Sequence, residues 1–444
     1  MRTGLLAAAV LAGLLLAHSA RAAATERVSV SSGETEALGH SGGVAIFGEP
    51  IALSADGRYV AFTSNARNLV PHDTNAACDV FVRDRLLGET ERVSVSSSAH
   101  QGDRSSCFGL ALSTDGRFVA FASRATNLTP WDTNGAVDVF VRNRKLGLTR
   151  RVSRRFDGRQ IDVGGTDPSI STDGQRVAFS STGHVVRHDT PIEDVYVRDR
   201  KHGWTRRVSV TTGGVPGSDR SFDPALSADG RVVAFASRAT NLARPDRNSD
   251  NPDVFIRLLA ERRTRRVSVD TDGHQLLDCS DGGSWSPRVD EHGDHVAFSE
   301  SDANSACLFS RVMLRDRTAG TTTRLDQGLA GADADRGGFA SGISGDGATV
   351  VFDSTSTNLV PNDTNGDPDA DPFDSVGADV FVVDVASGAI SRVSLSESDA
   401  QVTGPSGYSA ISADGAFVAF VSGATDVVAG DTNGKLDVFV RGPL

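Results

Sequence analysis

ALSTDGRFVAFAS, residues 111–123, is the stretch that decides the fold, because it recurs. ALSADGRYVAFTS starts at 52, SISTDGQRVAFSS at 169 and ALSADGRVVAFAS at 225. RVDEHGDHVAFSE follows at 288, GISGDGATVVFDS at 342 and AISADGAFVAFVS at 410. The shared glycine stands at 57, 116, 174, 230, 293, 347 and 415. Asp-Gly is a hairpin signal, since Gly accepts positive φ and Asp bonds its own backbone. The run after it is aromatic and β-branched, as a strand requires. Each copy predicts two short strands around a tight turn.

A second unit follows each of the first six copies. It reads DVFVRDRLLGETERVSV at 79, DVFVRNRKLGLTRRVSR at 138 and DVYVRDRKHGWTRRVSV at 194. DVFIRLLAERRTRRVSV at 253, RVMLRDRTAGTTTRLDQ at 311 and DVFVVDVASGAISRVSL at 379 complete the set. This again predicts strand, turn, strand. Four strands per ~60 residues without helical periodicity is the signature of propeller blades. The seventh copy, DVFVRGPL at 437–444, lacks its last strand, while TERVSV at 25–30 matches TERVSV at 90–95. The N-terminal strand is therefore expected to complete the last blade, which closes the ring and removes an open edge. The expected fold is an all-β, seven-bladed β-propeller with four antiparallel strands per blade, over 25–444.

The Ser-x-Asp-Gly-x-x-Val-Ala-Phe unit followed by Asp-Val-Phe-Val resembles the TolB-type, WD-like propeller repeat of exported bacterial proteins. The resemblance covers essentially all of 25–444 and implies a binding platform more often than an enzyme. TolB resembles a six-bladed propeller with an added α/β domain, and this sequence departs from both features.

Residues 1–24 read as a secretory signal peptide: Arg2, an apolar run from Gly4 to Ala17, and the small-x-small site Ala20-Arg21-Ala22. The expected location is periplasmic or secreted, with no membrane span. The net charge of −12 opposes nucleic-acid binding. Only Lys145, Lys201 and Lys435 among the 45 basic residues are lysine. Export favours disulfides. Propeller topology puts Cys78 and Cys107 near one another on one face, and likewise Cys279 and Cys307, so the expected pairs are Cys78–Cys107 and Cys279–Cys307.

Loops rich in Asp and Asn join the two units, and the topology gathers them on one face. They are Asp73/Asn75/Asp79, Asp132/Asn134/Asp138, Asp363/Asn365 and Asp431/Asn433/Asp437. Blade three retains Asp189 and Asp194, and blade four Asp246, Asn248, Asp250 and Asp253. Calcium wants several oxygen ligands, and Asp-x-Asn-Gly wraps two around a turn. The bidentate Glu that completes an EF-hand loop is missing, and an Asx-turn explains the simple copies equally. Blade six adds Asp367, Asp369, Asp371 and Asp374, and is the best single calcium candidate. The Arg before each Val-Ser (Arg27, Arg92, Arg151, Arg207, Arg266, Arg392) recurs as a structural residue does and is expected to pair with aspartates of the DVFVRDR strand.

Propeller chemistry sits at the central channel. Just upstream of the innermost strands, Glu49, Asp167 and Asp223 form a candidate carboxylate cluster, as glycoside hydrolysis would need. Each precedes a proline, and capping a turn is the plainer account. The functional reading is a monomeric exported platform for a protein or glycan, with calcium ordering its acidic face. The alternatives are a glycan-processing enzyme acting through Glu49, Asp167 and Asp223, and a structural module of the cell envelope.

Overall fold

The computed structural model describes residues 23–43, 49–187, 189–248, 250–276, 282–301, 309–365 and 378–444. Seven four-stranded antiparallel sheets form the ring. Blade one is built from Ile51–Leu53, Tyr59–Ser64, Asp79–Asp84 and Glu89–Arg92, ordered from axis to rim. Blades two to six repeat this order. In blade seven the outermost strand is Ala24–Arg27, paired antiparallel with Asp437–Gly442. The ring is thus closed by the chain's N-terminal strand, as the matched TERVSV segments predict. That strand begins at Ala24, one residue earlier than expected. The leader reading of 1–24 otherwise concerns residues 1–22, which lie outside the described residues. No helix among the described residues is long and apolar enough to cross a membrane.

Each blade has the same core. The Phe of Val-Ala-Phe faces the aromatic residue of Asp-Val-Phe-Val directly across the two middle strands: Phe62 opposite Phe81, Phe121 opposite Phe140, Phe235 opposite Phe255. Ring centroids in those pairs lie 5.8–5.9 Å apart, and all six rings are fully buried. Burying each such ring is worth about 1.5–3 kcal/mol, with roughly 0.5–1.5 kcal/mol more for an aromatic pair. Blade five substitutes Met313 opposite Phe298, a sulfur–aromatic contact that fills the same space.

The Asp-Gly turns lock one blade to the next. In blade one, Ser54 Oγ donates to Asp56 Oδ1 (2.7 Å) and accepts from the amide of Tyr59 (2.9 Å). The turn then reaches its neighbour: the amide of Ala55 donates to the carbonyl of Thr114 in blade two. Equivalent bonds join blades three to four (Thr172 to Ala228), four to five (Asp229 to Glu291), five to six (Glu291 to Gly345) and six to seven (Gly345 to Ala413). Asp414 to Ala55 brings blade seven back to blade one.

The repeat glycine is required twice over. Its φ lies near +70° in every copy, from +64° at Gly174 to +74° at Gly293. It also lies beside the residue two beyond the preceding blade's own glycine, too close for a Cβ at Gly57, Gly116, Gly174, Gly293 and Gly347, and at ordinary contact distance at Gly415. A Cβ at Gly116 would come within 2.2 Å of the Tyr59 ring, and one at Gly57 within 2.5 Å of Phe417. Gly116→Ala is therefore expected to cost at least about 1 kcal/mol, since Ala at positive φ loses more than its unfolded-state entropy returns. A chemical-denaturation midpoint unchanged from wild type would contradict this interlock.

Candidate functional site

The loops between the second and third strands, and the connections between blades, share one face. The aspartate that opens the third strand in six blades (blade five has Ser310 instead) is buried there. In blade two, Asp138 Oδ1 accepts from Ser153 Oγ (2.5 Å), and Oδ2 accepts from Asn134 Nδ2 (3.1 Å) and Gln160 Nε2 (3.1 Å). Arg151 stands between Asp132 (Nη2 to Oδ2, 3.0 Å) and Asp138 (Nε to Oδ2, 3.7 Å). All three side chains are buried. The same clasp recurs. Arg92 lies 3.2 Å from Asp73 and 3.3 Å from Asp79. Arg392 lies 2.7 Å from Asp363 and 3.3 Å from Asp379. Arg27 holds Asp431 and Asp437 at 3.3 and 3.5 Å. Arg207 pairs with Asp189 and Asp194, and Arg266 with Asp246 and Asp253.

The loop asparagines turn their side-chain nitrogen toward the strand-opening carboxylates. Asn75 Nδ2 donates to Asp79 Oδ2 (3.0 Å) and to the carbonyl of Gly102 (2.9 Å), and its Oδ1 accepts from the amide of Ala77 (3.1 Å). Asn134 Oδ1 accepts likewise from the amide of Ala136 (3.1 Å). Asn433 Nδ2 donates to Asp437 Oδ2 (2.7 Å) and to the carbonyl of Ala37 (3.0 Å), and its Oδ1 accepts from the amide of Lys435 (2.7 Å). These are the Asx-turns that the sequence equally allowed. In blade six, Asn365 Nδ2 donates to the carbonyl of Val402 (3.3 Å), and its Oδ1 accepts from Gln401 Nε2. The physical reason is charge: a carboxylate beside an amide draws its N–H rather than its oxygen.

Three partners in this clasp escape the sequence reading. One is the Ser two residues after the arginine: Ser94, Ser153, Ser209, Ser268, Ser394 and Ser29 each donate to the strand-opening aspartate. Another is a glutamine from the following connection, Gln160, Gln275 or Gln401, which donates to the loop carboxylates. In blade seven Glu36 takes that place, pairing with Arg27 at 2.8 Å. The serine and the glutamine recur at fixed offsets in the repeat, so their signal is present in the sequence. Burial raises the pKa of Asp79, Asp138 and Asp437, and lifts Asp379 to about 6, against the lowering pull of the serine, arginine and Asn partners.

Cys78 and Cys107 are disulfide-bonded with Cα atoms 5.9 Å apart, as expected from their positions. Cys279 and Cys307 lie outside the described residues, as do Asp367, Asp369, Asp371 and Asp374 of the acidic loop.

On the same face, the innermost strands open into an axial channel of 250 Å³. Leu53, Leu112, Ile170, Leu226, Val289, Ile343 and Ile411 form one layer of it. The neighbouring position is small in six blades: Ala52, Ala111, Ser169, Ala225, Gly342 and Ala410. In blade five it is Arg288. This guanidinium pairs with Glu49 and donates from Nε to the carbonyl of Ser341 (2.8 Å).

Asp167 feels the charges of Asp223 and Glu49, and Arg288 pairs with Glu49 and acts on Asp223. Burial, with Asp223, Glu193 and Glu49 nearby, lifts Asp167 to about 7. Burial chiefly raises Asp223, while Arg288 opposes the rise. Asp167 and Asp223 are not plain turn caps: their φ values are +50° and +51°, and the strand register shifts there. A bulge of this kind re-aims a side chain. Ser286 and Tyr408 occupy the same bulge position in blades five and seven, both at φ +50°. Asp353, in the second strand of blade six, joins the group. It accepts from Ser409 Oγ (2.5 Å), and burial lifts it to about 6. Its counterparts in blades one and two are Thr63 and Ala122.

A cleft of 490 Å³ adjoins the channel mouth between blades five, six, seven and one, lined by Glu49, Ser286, Arg288, Asp353, Phe339 and Tyr408 among others. Tyr408 is 53% exposed and Phe339 38%. The arrangement offers hydrogen-bond acceptors, one fixed cation, a carboxyl that can hold its proton near neutrality, and two aromatic faces.

No protein-family model matches the chain, and no curated protein matches it. Among solved structures it is similar to TolB from Acinetobacter baumannii (16% identity over 62% of this chain and 54% of that one, TM-score 0.38). It is similar also to Kuenenia stuttgartiensis hydrazine synthase (14%, 89% and 97%, 0.44) and to a prolyl endopeptidase (16%, 85% and 46%, 0.46). The chain spans about half the length of the Acinetobacter protein. The seven-bladed architecture rests on the strand pairing of this chain.

The raised Asp167 carries a signed pH dependence. The unfolded chain ionises this carboxyl near 3.8 and the folded chain near 7. Folding takes up a proton in that interval, so this group lowers stability progressively as pH rises through it. Asp167→Asn should melt like wild type at pH 3.5, gain on it up to pH 7, and hold a constant gain above. A melting difference independent of pH would contradict the assignment.

Proposed function

We propose that this protein is an exported binding platform that takes its ligand in the cleft at the channel mouth, and that the ligand is a glycan. The observation that carries the reading is the break in seven-fold repetition at that one place. Arg288 replaces a small residue and Asp353 replaces a Thr or Ala type, and both border the same cleft. Residues that build blades recur; residues that serve one site do not. Carboxylates and serine hydroxyls suit the hydroxyl groups of a sugar, and Tyr408 and Phe339 offer faces for its ring.

On this reading the Asp-Thr-Asn loops are scaffolding. Their carboxylates are already matched by Arg, Ser, Asn and Gln, and the oxygens of Asn75, Asn134 and Asn433 by backbone amides. This supports reading those copies as structural clasps rather than calcium cages. The calcium proposal concerns the blade-six loop with Asp363, Asn365, Asp367, Asp369 and Asp371. A second reading is glycan cleavage, favoured by the elevated Asp167, which would act as general acid with Glu49 or Asp223 as the second carboxyl.

The test is a screen of neutral oligosaccharides by calorimetry against the wild type, Tyr408→Ala and Asp353→Asn. The expected result is a binding oligosaccharide whose affinity falls at least about tenfold in both variants, the loss of one good contact group. Chromatography of the same mixtures would show cleavage, abolished in Asp167→Asn, if the second reading holds. No oligosaccharide bound, or equal affinity in all three proteins, would overturn the platform reading at this cleft.

A further inference from the structure

A second place breaks the repetition, on the outer rim between blades three and four. In blades one, two, three and five an arginine of the third strand's turn (Arg85, Arg144, Arg200, Arg317) wedges between neighbouring blades, while blades six and seven carry Val385 and Pro443 at that position. Arg85 donates from Nη1 to the carbonyl of Gly57 (2.6 Å), pairs with Glu26 of blade seven and stacks 4.7 Å from the Phe417 ring. Arg144 does the same in blade two, with Gly116 (2.5 Å), Glu91 (2.5 Å) and Tyr59 (4.4 Å). In blade four the wedge position is Leu259, and the carbonyl of Gly230 is taken instead by Arg176 of blade three. The position of Glu26 and Glu91 is held in blade three by Arg206, which lies 4.2 Å over the Trp204 ring.

Two consequences follow. Without its wedge the interface opens into a groove of 1200 Å³, beyond the ~300–1,000 Å³ usual for small-molecule sites. With Arg206 where blades seven and one have glutamate, the groove is basic, in a protein of net charge −12. Lys201, Arg206 and Arg262 line it, are exposed, and make no ion pair with the described residues.

The outer strand of blade three, like those of blades six and seven, lacks a hydroxyl cover that four other blades have. In blades one, two, four and five a hydroxyl of the preceding connection accepts from the amide of the strand's threonine: Ser32 for Thr90, Ser97 for Thr149, Thr212 for Thr264, Thr271 for Thr322. For Thr205 of blade three the corresponding residue is Phe156, which has no hydroxyl to offer. An outermost strand with an unclasped amide is a template for an added strand.

We propose that this groove docks an extended acidic peptide segment of a partner protein, laid along the outer strand Trp204–Arg207 with its carboxylates on Arg206, Arg262 and Lys201. Main-chain pairing supplies the register, and the arginine forks select carboxylates.

The probe is a fluorescein-labelled decapeptide of alternating Glu and Val, read by anisotropy at low salt. A peptide of equal charge with Pro in place of Val, and a heparin oligosaccharide, are the comparisons. Arg206→Glu restores the residue that blades seven and one carry there, and Leu259→Arg restores the wedge, so both variants keep residues the fold already accommodates. The expected result is binding of the Glu-Val peptide, at least tenfold weaker for the Pro peptide and in each variant, with unchanged melting. Heparin bound as tightly as the Glu-Val peptide, with the Pro peptide equal to both, would make the groove a generic polyanion surface and overturn the proposal. So would wild-type affinity in both variants, or no binding of the Glu-Val peptide.

Discussion

In six of the seven blades, blade five excepted, one buried guanidinium holds the loop face together. It stands between the aspartate that opens the third strand and the aspartate of the preceding loop, reaching both from the fourth strand. A carboxylate this deeply buried is costly unless its charge is matched and its lone pairs are occupied. Arg151 matches the charge of Asp132 and Asp138, while Ser153, Asn134 and Gln160 occupy the remaining lone pairs. The donors come from three segments distant in sequence, so the clasp fixes a loop, a strand and the next blade's connection at once. In blade seven it does more: Arg27 and Ser29 belong to the N-terminal segment, so the clasp on Asp437 also closes the ring.

The opposite face is tied by different means. Backbone bonds run from one Asp-Gly turn to the next, and each turn glycine is covered by a side chain of the preceding blade. Because the covering residue varies among Tyr, Phe, Arg, Val, His and Thr, its identity matters less than the absence of a Cβ beneath it. Fold information therefore sits in glycine and aspartate, and the covering position is free to vary.

This division explains what the sequence discloses. Blade number, strand order, closure by the N-terminal strand and the Cys78–Cys107 pair are all legible, since each follows from counting repeats and knowing which loops share a face. The recurrent arginine is legible as structural, and its aspartate partner on the third strand is the one expected. The acidic loops read equally well as cation sites, because sequence shows the oxygens and not the donors that reach them from elsewhere. Asn75, Asn433 and Asn365 illustrate the point: each counts as an oxygen ligand in the sequence, and each spends its nitrogen on a carboxylate or carbonyl in the fold. At the channel mouth, Glu49, Asp167 and Asp223 are visible as a cluster. Arg288 and Asp353 are visible only as departures, RVD where other copies read ALS or AIS, and VVFDS where others read VAF followed by a small residue. Alignment of repeats directs attention to what is shared, while the candidate site is made of what is not.

The central claim is that arginine neutralises the recurring loop carboxylates. A thermal melt of the protein with residues 366–377 replaced by the blade-two loop sequence, in excess calcium and in chelator, tests it most directly. A ligand of the native state at a hundred times its dissociation constant would add about 2.7 kcal/mol. The account predicts superimposable melts at millimolar calcium. A calcium-specific rise of several degrees, absent with magnesium, would show that the clasps open to a cation and would contradict it.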